Sequence, residues 1–116
     1  MKKLLVLVFV CLSLLSCVKQ EKELNKDVFK ENYDKANNFF DVNRYESAFY
    51  YYNKVVSSSP DSLLVGTSLF HMSIIQSMQG DYFGSGETAV KSLNYFDDTH
   101  TLYLAAVYNT IAINKT

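Results

Sequence analysis

Beyond residue 27 apolar residues recur three and four positions apart, and the strict alternation of a half-buried strand is absent. The stretch RYESAFYYYNKVVSSSP, from Arg44 to Pro60, shows the period most clearly. Projected at about 100° per residue, Tyr45, Ala48, Phe49, Tyr52, Val55 and Val56 fall on one side of a helix. Tyr50 and Lys54 point the other way, and Tyr51 sits at the margin. The three consecutive tyrosines are therefore expected to differ, with Tyr52 in the core, Tyr51 on the flank and Tyr50 outward.

The same reading predicts five helices, at about residues 27–41, 44–58, 62–79, 82–95 and 100–114. The breaks read DVNR, SSSPD, QGD and DDT. Asp, Ser and Asn there offer side-chain caps, while Gly and Pro stop a helix from continuing. Links this short favour antiparallel neighbours. The expected fold is all-α, with consecutive helices stacked as antiparallel pairs.

Setting Tyr45 over Tyr82, an offset of 37 residues, places Ala48 on Ser85, Lys54 on Lys91, Val56 on Leu93 and Ala36 on Ser73. This arrangement resembles the tetratricopeptide repeat, a pair of helices repeated about every 34 residues. The resemblance spans roughly residues 30–114, about two and a half units. Ala36 and Ala48 take the small positions of the first unit, Tyr45 the aromatic after the turn and Pro60 the closing proline. In the second unit QGDY, Gln79 to Tyr82, is similar to the family's turn, with Ser73 and Ser85 as the small residues. YLAAVY, Tyr103 to Tyr108, looks like the start of a third. Ala89 departs from the pattern by replacing an aromatic, and Asp97 by replacing the closing proline. Small residues let helix axes approach closely whatever the family, so an unrelated five-helix bundle is the alternative.

The first sixteen residues stand apart. A basic MKK precedes the apolar run LLVLVFVCLSLL, which has the layout of a secretory signal and is short of the roughly 20 residues of a membrane span. LLSC, ending at Cys17, resembles the lipobox of bacterial lipoproteins, in which the cysteine is acylated and becomes the first mature residue. The resemblance implies that Cys11 leaves with residues 1–16 and that Cys17 carries palmitate-type chains. It also places the protein in the bacterial cell envelope, lipid-anchored to a membrane, the outer membrane first, with its face left open. More than one acyl chain gives stable anchoring. Residues 17–27 are read as a lipidated tether and residues 28–116 as one small helical domain.

Charge narrows the partners. After the leader nine Lys or Arg stand against twelve Asp or Glu, a net of about −3, and no basic patch survives. Nucleic acid is therefore not expected as a partner.

Candidate chemistry is sparse. His71 and His100 fall on different predicted helices, and the sequence contains no HExxH, CxxC, GxSxG or phosphate-loop pattern. His71, between Phe70 and Met72, reads as a packed helix residue, and His100 as a solvated one near a helix start. Asp97 and Asp98 read as a capping cluster rather than a calcium site. GSG at 84–86 reads as a place of close helix approach or a weak point of the fourth helix. No enzymatic activity, cofactor or metal is expected.

A binding role fits better. The tetratricopeptide resemblance implies a groove lined by the first helix of each pair, here Tyr33, Asn37 and Phe40, then Phe70, Ile74 and Ser77. These suit a hydrophobic peptide or an amphipathic helix of another envelope protein. The last helix, TLYLAAVYNTIAI, is apolar almost all round, and such a helix expects to be covered. Leu102, Tyr103, Val107 and Ile111 are accordingly a candidate self-association face. The expected role is a lipid-anchored interaction adaptor. The alternatives are a self-associating, homodimeric surface lipoprotein or a truncated piece of a longer repeat protein.

Overall fold

The computed structural model describes residues 28–115. The expected leader, the acylated Cys17 and the tether of residues 17–27 lie outside the described residues. Helix α1 covers residues 28–41. It is followed by α2 (Tyr45–Ser58), α3 (Ser62–Met78), α4 (Tyr82–Ser92), a single 3-10 turn (Leu93–Tyr95) and α5 (Thr101–Asn114). The described residues are all-α, consecutive helices pack as antiparallel pairs, and α3 is the central element, touching α2, α4 and α5.

Two of the links are built alike. At the end of α1, Asn43 has φ +63°, its N–H donates to Phe40 O (3.1 Å), and Arg44 N–H donates to Phe39 O (2.9 Å). At the end of α3, Gly80 has φ +85°, its N–H donates to Ser77 O (3.1 Å), and Asp81 N–H donates to Gln76 O (2.9 Å). Each pair of bonds satisfies carbonyls left over at a helix end, and the left-handed residue between them favours Gly or Asn. The two turns are the same structure 37 residues apart. Asp61 then caps α3 by accepting from Leu63 and Leu64 N–H (3.0 and 3.3 Å), and Asp81 caps α4 by accepting from Gly84 N–H (3.0 Å).

The core forms where the period predicted it. Ala48, Tyr52 and Val55 of α2 are fully buried, while Tyr45, Phe49, Val56 and Tyr51 pack at its edge. Tyr50 is 56% exposed, with the Lys54 ammonium 4.7 Å above its ring. Ala36 of α1, Ala48 and Tyr52 of α2, and Val65, Leu69, Met72 and Ile75 of α3 make the main cluster. Burying each such aliphatic side chain contributes about 1.5–3 kcal/mol. Ala36, Ala48, Ser73 and Ser85, the four small residues of the 37-residue alignment, are all inaccessible.

Three local expectations change. The fourth helix winds tighter over Leu93–Tyr95 instead of continuing as α-helix, which sets Tyr95 and Phe96 against α3 at Gly66. Asp97 accepts from Thr99 N–H (2.8 Å) and from its hydroxyl, building the turn ahead of α5. The N-terminal cap of α5 is His100, which makes no side-chain cap bond. Finally, α5 is covered along one narrow edge only. Val107 is its buried residue, while Leu102 is 85% exposed.

A Cβ placed on Gly66 would lie 2.9 Å from the Tyr95 Cβ and 3.0 Å from the Phe96 ring. Gly66→Ala must therefore push the 3-10 turn away from α3. It is expected to destabilise the domain by about 1–3 kcal/mol in urea denaturation. A wild-type-like midpoint would show that this approach is not tight.

Candidate functional site

His71 lies near the middle of α3 inside a ring cluster. Its imidazole stacks on Tyr52 with centroids 5.2 Å apart, and meets Phe40 (5.3 Å) and Phe70 (5.7 Å) edge to face. Nδ1 lies 2.8 Å from Thr67 O. A carbonyl only accepts, so Nδ1 carries the proton and Nε2 is the bare nitrogen. Burial lowers the His71 pKa from its ordinary 6.5, partly opposed by the Thr67 carbonyl and by Asp41, so the ring is neutral.

The Tyr52 hydroxyl donates to Asn37 Oδ1 at 2.5 Å, and the Tyr33 ring meets Tyr52 edge to face at 6.1 Å. Burial, followed by the Tyr33 and Asp41 charges, pushes the Tyr52 pKa up and keeps that hydroxyl a donor. The Asn37 oxygen is thus engaged by Tyr52 within the chain. Four expected groove residues, Tyr33, Asn37, Phe40 and Phe70, gather around the Tyr52–His71 pair on α1 and α3. Ile74 and Ser77 lie further along α3. They line a separate cleft of about 180 Å³ against α5, together with Met78 and Thr110.

The expected self-association residues do not form one surface. Leu102 projects into solvent, and Tyr103 lies flat on Phe96 with centroids 5.3 Å apart. Val107 is fully buried and faces the chain's own core. Ile111 lines a larger cleft, about 720 Å³, between α4 and the C-terminal end of α5. The α4 wall of that cleft was missed in the sequence. It carries Tyr82, 58% exposed, and Phe83, 80% exposed, with Gly86 and Val90 beside them. The sequence offered only a partial signal, the adjacent aromatics Tyr82 and Phe83 opening a helix, which cannot both sit at the centre of one buried face.

A chain of hydrogen bonds holds α5 to this wall. Ser77 Oγ donates to Asn114 Oδ1 (3.3 Å), Asn114 Nδ2 donates to Ser85 Oγ (2.8 Å), and Ser85 Oγ donates to Ser73 O (2.7 Å). Among the described residues there is no cluster of three or more His, Cys, Asp or Glu suited to a metal ion, and no helix long and apolar enough to cross a membrane. No protein-family model, curated protein or solved structure matches the chain.

Because the folded His71 pKa lies below the unfolded value, the unfolded chain takes up its proton first as the pH falls. Stability from this site is complete above about pH 6.5 and declines below it. The thermal midpoint is expected to drop between pH 7.5 and pH 5.5, and His71→Gln should flatten that slope. Equal slopes for the two proteins would rule out a neutral, packed His71.

Proposed function

We propose that this protein is an envelope lipoprotein whose helical domain is a tetratricopeptide-like adaptor, binding a segment of another envelope protein. Cys17 carries the acyl chains and residues 18–27 give the domain reach above the membrane. The lipid confines the adaptor to the bilayer surface, which raises its effective concentration for partners there.

The observation that carries the binding role is the gathering of Tyr33, Asn37, Phe40 and Phe70 around His71. Rings held by one another lose little freedom when a ligand arrives, so aromatic clusters suit anchoring. The Asn37 amide adds a donor for a main-chain carbonyl of an extended segment, and Ile74 continues the apolar line toward α5. The repeat reading is supported by the congruent turns and by the full burial of Ala36, Ala48, Ser73 and Ser85. The surroundings of His71 support a binding reading: its Nδ1–H is spent on the Thr67 carbonyl and its ring is packed among those of Tyr52, Phe40 and Phe70.

The test is photo-crosslinking in intact cells followed by mass spectrometry, with the reactive residue at Phe70 in one chain and at Tyr103 in another. Capture of a different envelope protein at Phe70 is expected, and Phe40→Ala in the same chain should reduce it by about tenfold, as loss of an aromatic anchor does. If both positions capture only this protein, the adaptor reading fails.

A further inference from the structure

Asp41 does nothing for its own helix. It is the last residue of α1, where the helix dipole is negative and opposes an acid. The residue is exposed, and among the described residues it forms no ion pair, although Arg44 stands three positions away. Its charge does reach the ring cluster. Burial is the largest influence on the pKa values of Tyr52 and His71, and in both the Asp41 charge is a further one, acting to raise them. The carboxylate therefore lies beside the Tyr52–His71 pair, one helical turn beyond Asn37.

No opposite charge balances it from the facing helix. The 17 residues of α3 include no Asp, Glu, Lys or Arg, and His71 is neutral. Earlier on α1, Asp34 and Lys30 offset one another, and Glu31 is paired with Lys35 at 3.2 Å. Lys54 of α2 rests over Tyr50, on the outward side of that helix. The surface thus joins the half-buried rings of Tyr33, Phe40 and Phe70 to one unbalanced carboxylate and the negative end of a helix dipole. The face of an aromatic ring is its negative pole. All three components therefore attract the same thing, a cation. A purely apolar segment would leave Asp41 unmatched, and an acidic one would be repelled.

We propose that the segment bound at this surface carries a basic side chain, which lies against the Phe40 and Phe70 rings and pairs with Asp41. The inference rests on the adaptor reading and names the chemistry of its partner. Arginine is favoured over lysine. A planar guanidinium stacks on a ring and still presents N–H donors to a carboxylate, whereas an ammonium is a compact and more strongly hydrated charge.

The test presents decapeptide libraries to the full chain in detergent micelles. Each library is randomised except for a fixed central residue: arginine, lysine, citrulline, norleucine or glutamate. Citrulline keeps the shape of arginine without its charge. The arginine library is expected to bind about five- to tenfold more tightly than the citrulline library, the scale of one cation–π contact with one partly exposed ion pair. Asp41→Asn should abolish that difference at an unchanged thermal midpoint, and Asp41→Lys should turn the preference to glutamate. Asp98→Asn, in the turn ahead of α5, should change neither. If Asp41→Asn lowers the midpoint, arginine against citrulline on the unaltered chain decides. Equal binding of those two libraries overturns the proposal and leaves the adaptor reading standing. An arginine preference that survives Asp41→Lys also overturns it. Failure of every library to bind overturns it too, and capture at Phe70 in cells then judges the adaptor reading alone.

Discussion

The contact on which the rest of the domain depends is the crossing of α3 and α4 at Ser73 and Ser85. Both residues are inaccessible, and the Ser85 hydroxyl donates to the Ser73 carbonyl at 2.7 Å. A carbonyl has two lone pairs, so it can keep a place in its own helix and still accept from the neighbour. That solves a problem particular to small polar residues. A buried hydroxyl without a partner costs about 1–3 kcal/mol, and a larger side chain would force the axes apart. Ser85 then accepts from Asn114, which ties the end of α5 to the same point. The Ser85 hydroxyl thus joins α3, α4 and α5 at one point, while Ala36 and Ala48 mark the corresponding close approach in the first helix pair without polar atoms.

What could be read in the sequence is what is local or periodic. The phase of the Tyr45–Val56 stripe decided which tyrosine goes inward, because each residue's direction follows from its position in the helix. The turns at Asn43 and Gly80 were legible because few residue types adopt a positive φ without cost. The four small residues were legible through the 37-residue offset. Four of the six expected groove residues meet around His71, since spacings of three, four and seven on α1 and α3 already placed them on common faces.

What could not be read needed a neighbour. Tyr82 aligns with Tyr45 and follows the same turn, yet Tyr45 is half-buried and Tyr82 is exposed. The difference lies one helix away. Phe40 covers the Tyr45 ring edge to face, and its counterpart 37 residues on is Ser77, too small to reach Tyr82. Likewise Phe39 stacks on Tyr51 at 5.6 Å, while the equivalent pair in the second unit is Gln76 and Thr88. The Gln76 Oε1 there is buried without a partner. For α5 the obstacle was different. A helix apolar on every side carries no phase, so its sequence alone did not show that Val107, rather than Leu102, turns inward.

These substitutions make the two helix pairs chemically unlike although their backbones repeat. The first pair is closed by rings packed on rings, and what it offers a ligand is a rigid aromatic surface. The second pair keeps the turn and the close crossing but lacks the covering aromatics, so Tyr82, Phe83 and Val90 stand out from α4 beside an α5 that has no charged residue. Exposed apolar side chains scattered singly need no explanation, but a contiguous set on one side of a small domain does. The polarity of the molecule follows from this replacement. Where Phe40 and Phe39 gave way to Ser77 and Gln76, apolar surface that the first unit covers internally was left facing outward, and the cleft between α4 and α5 is the form it takes.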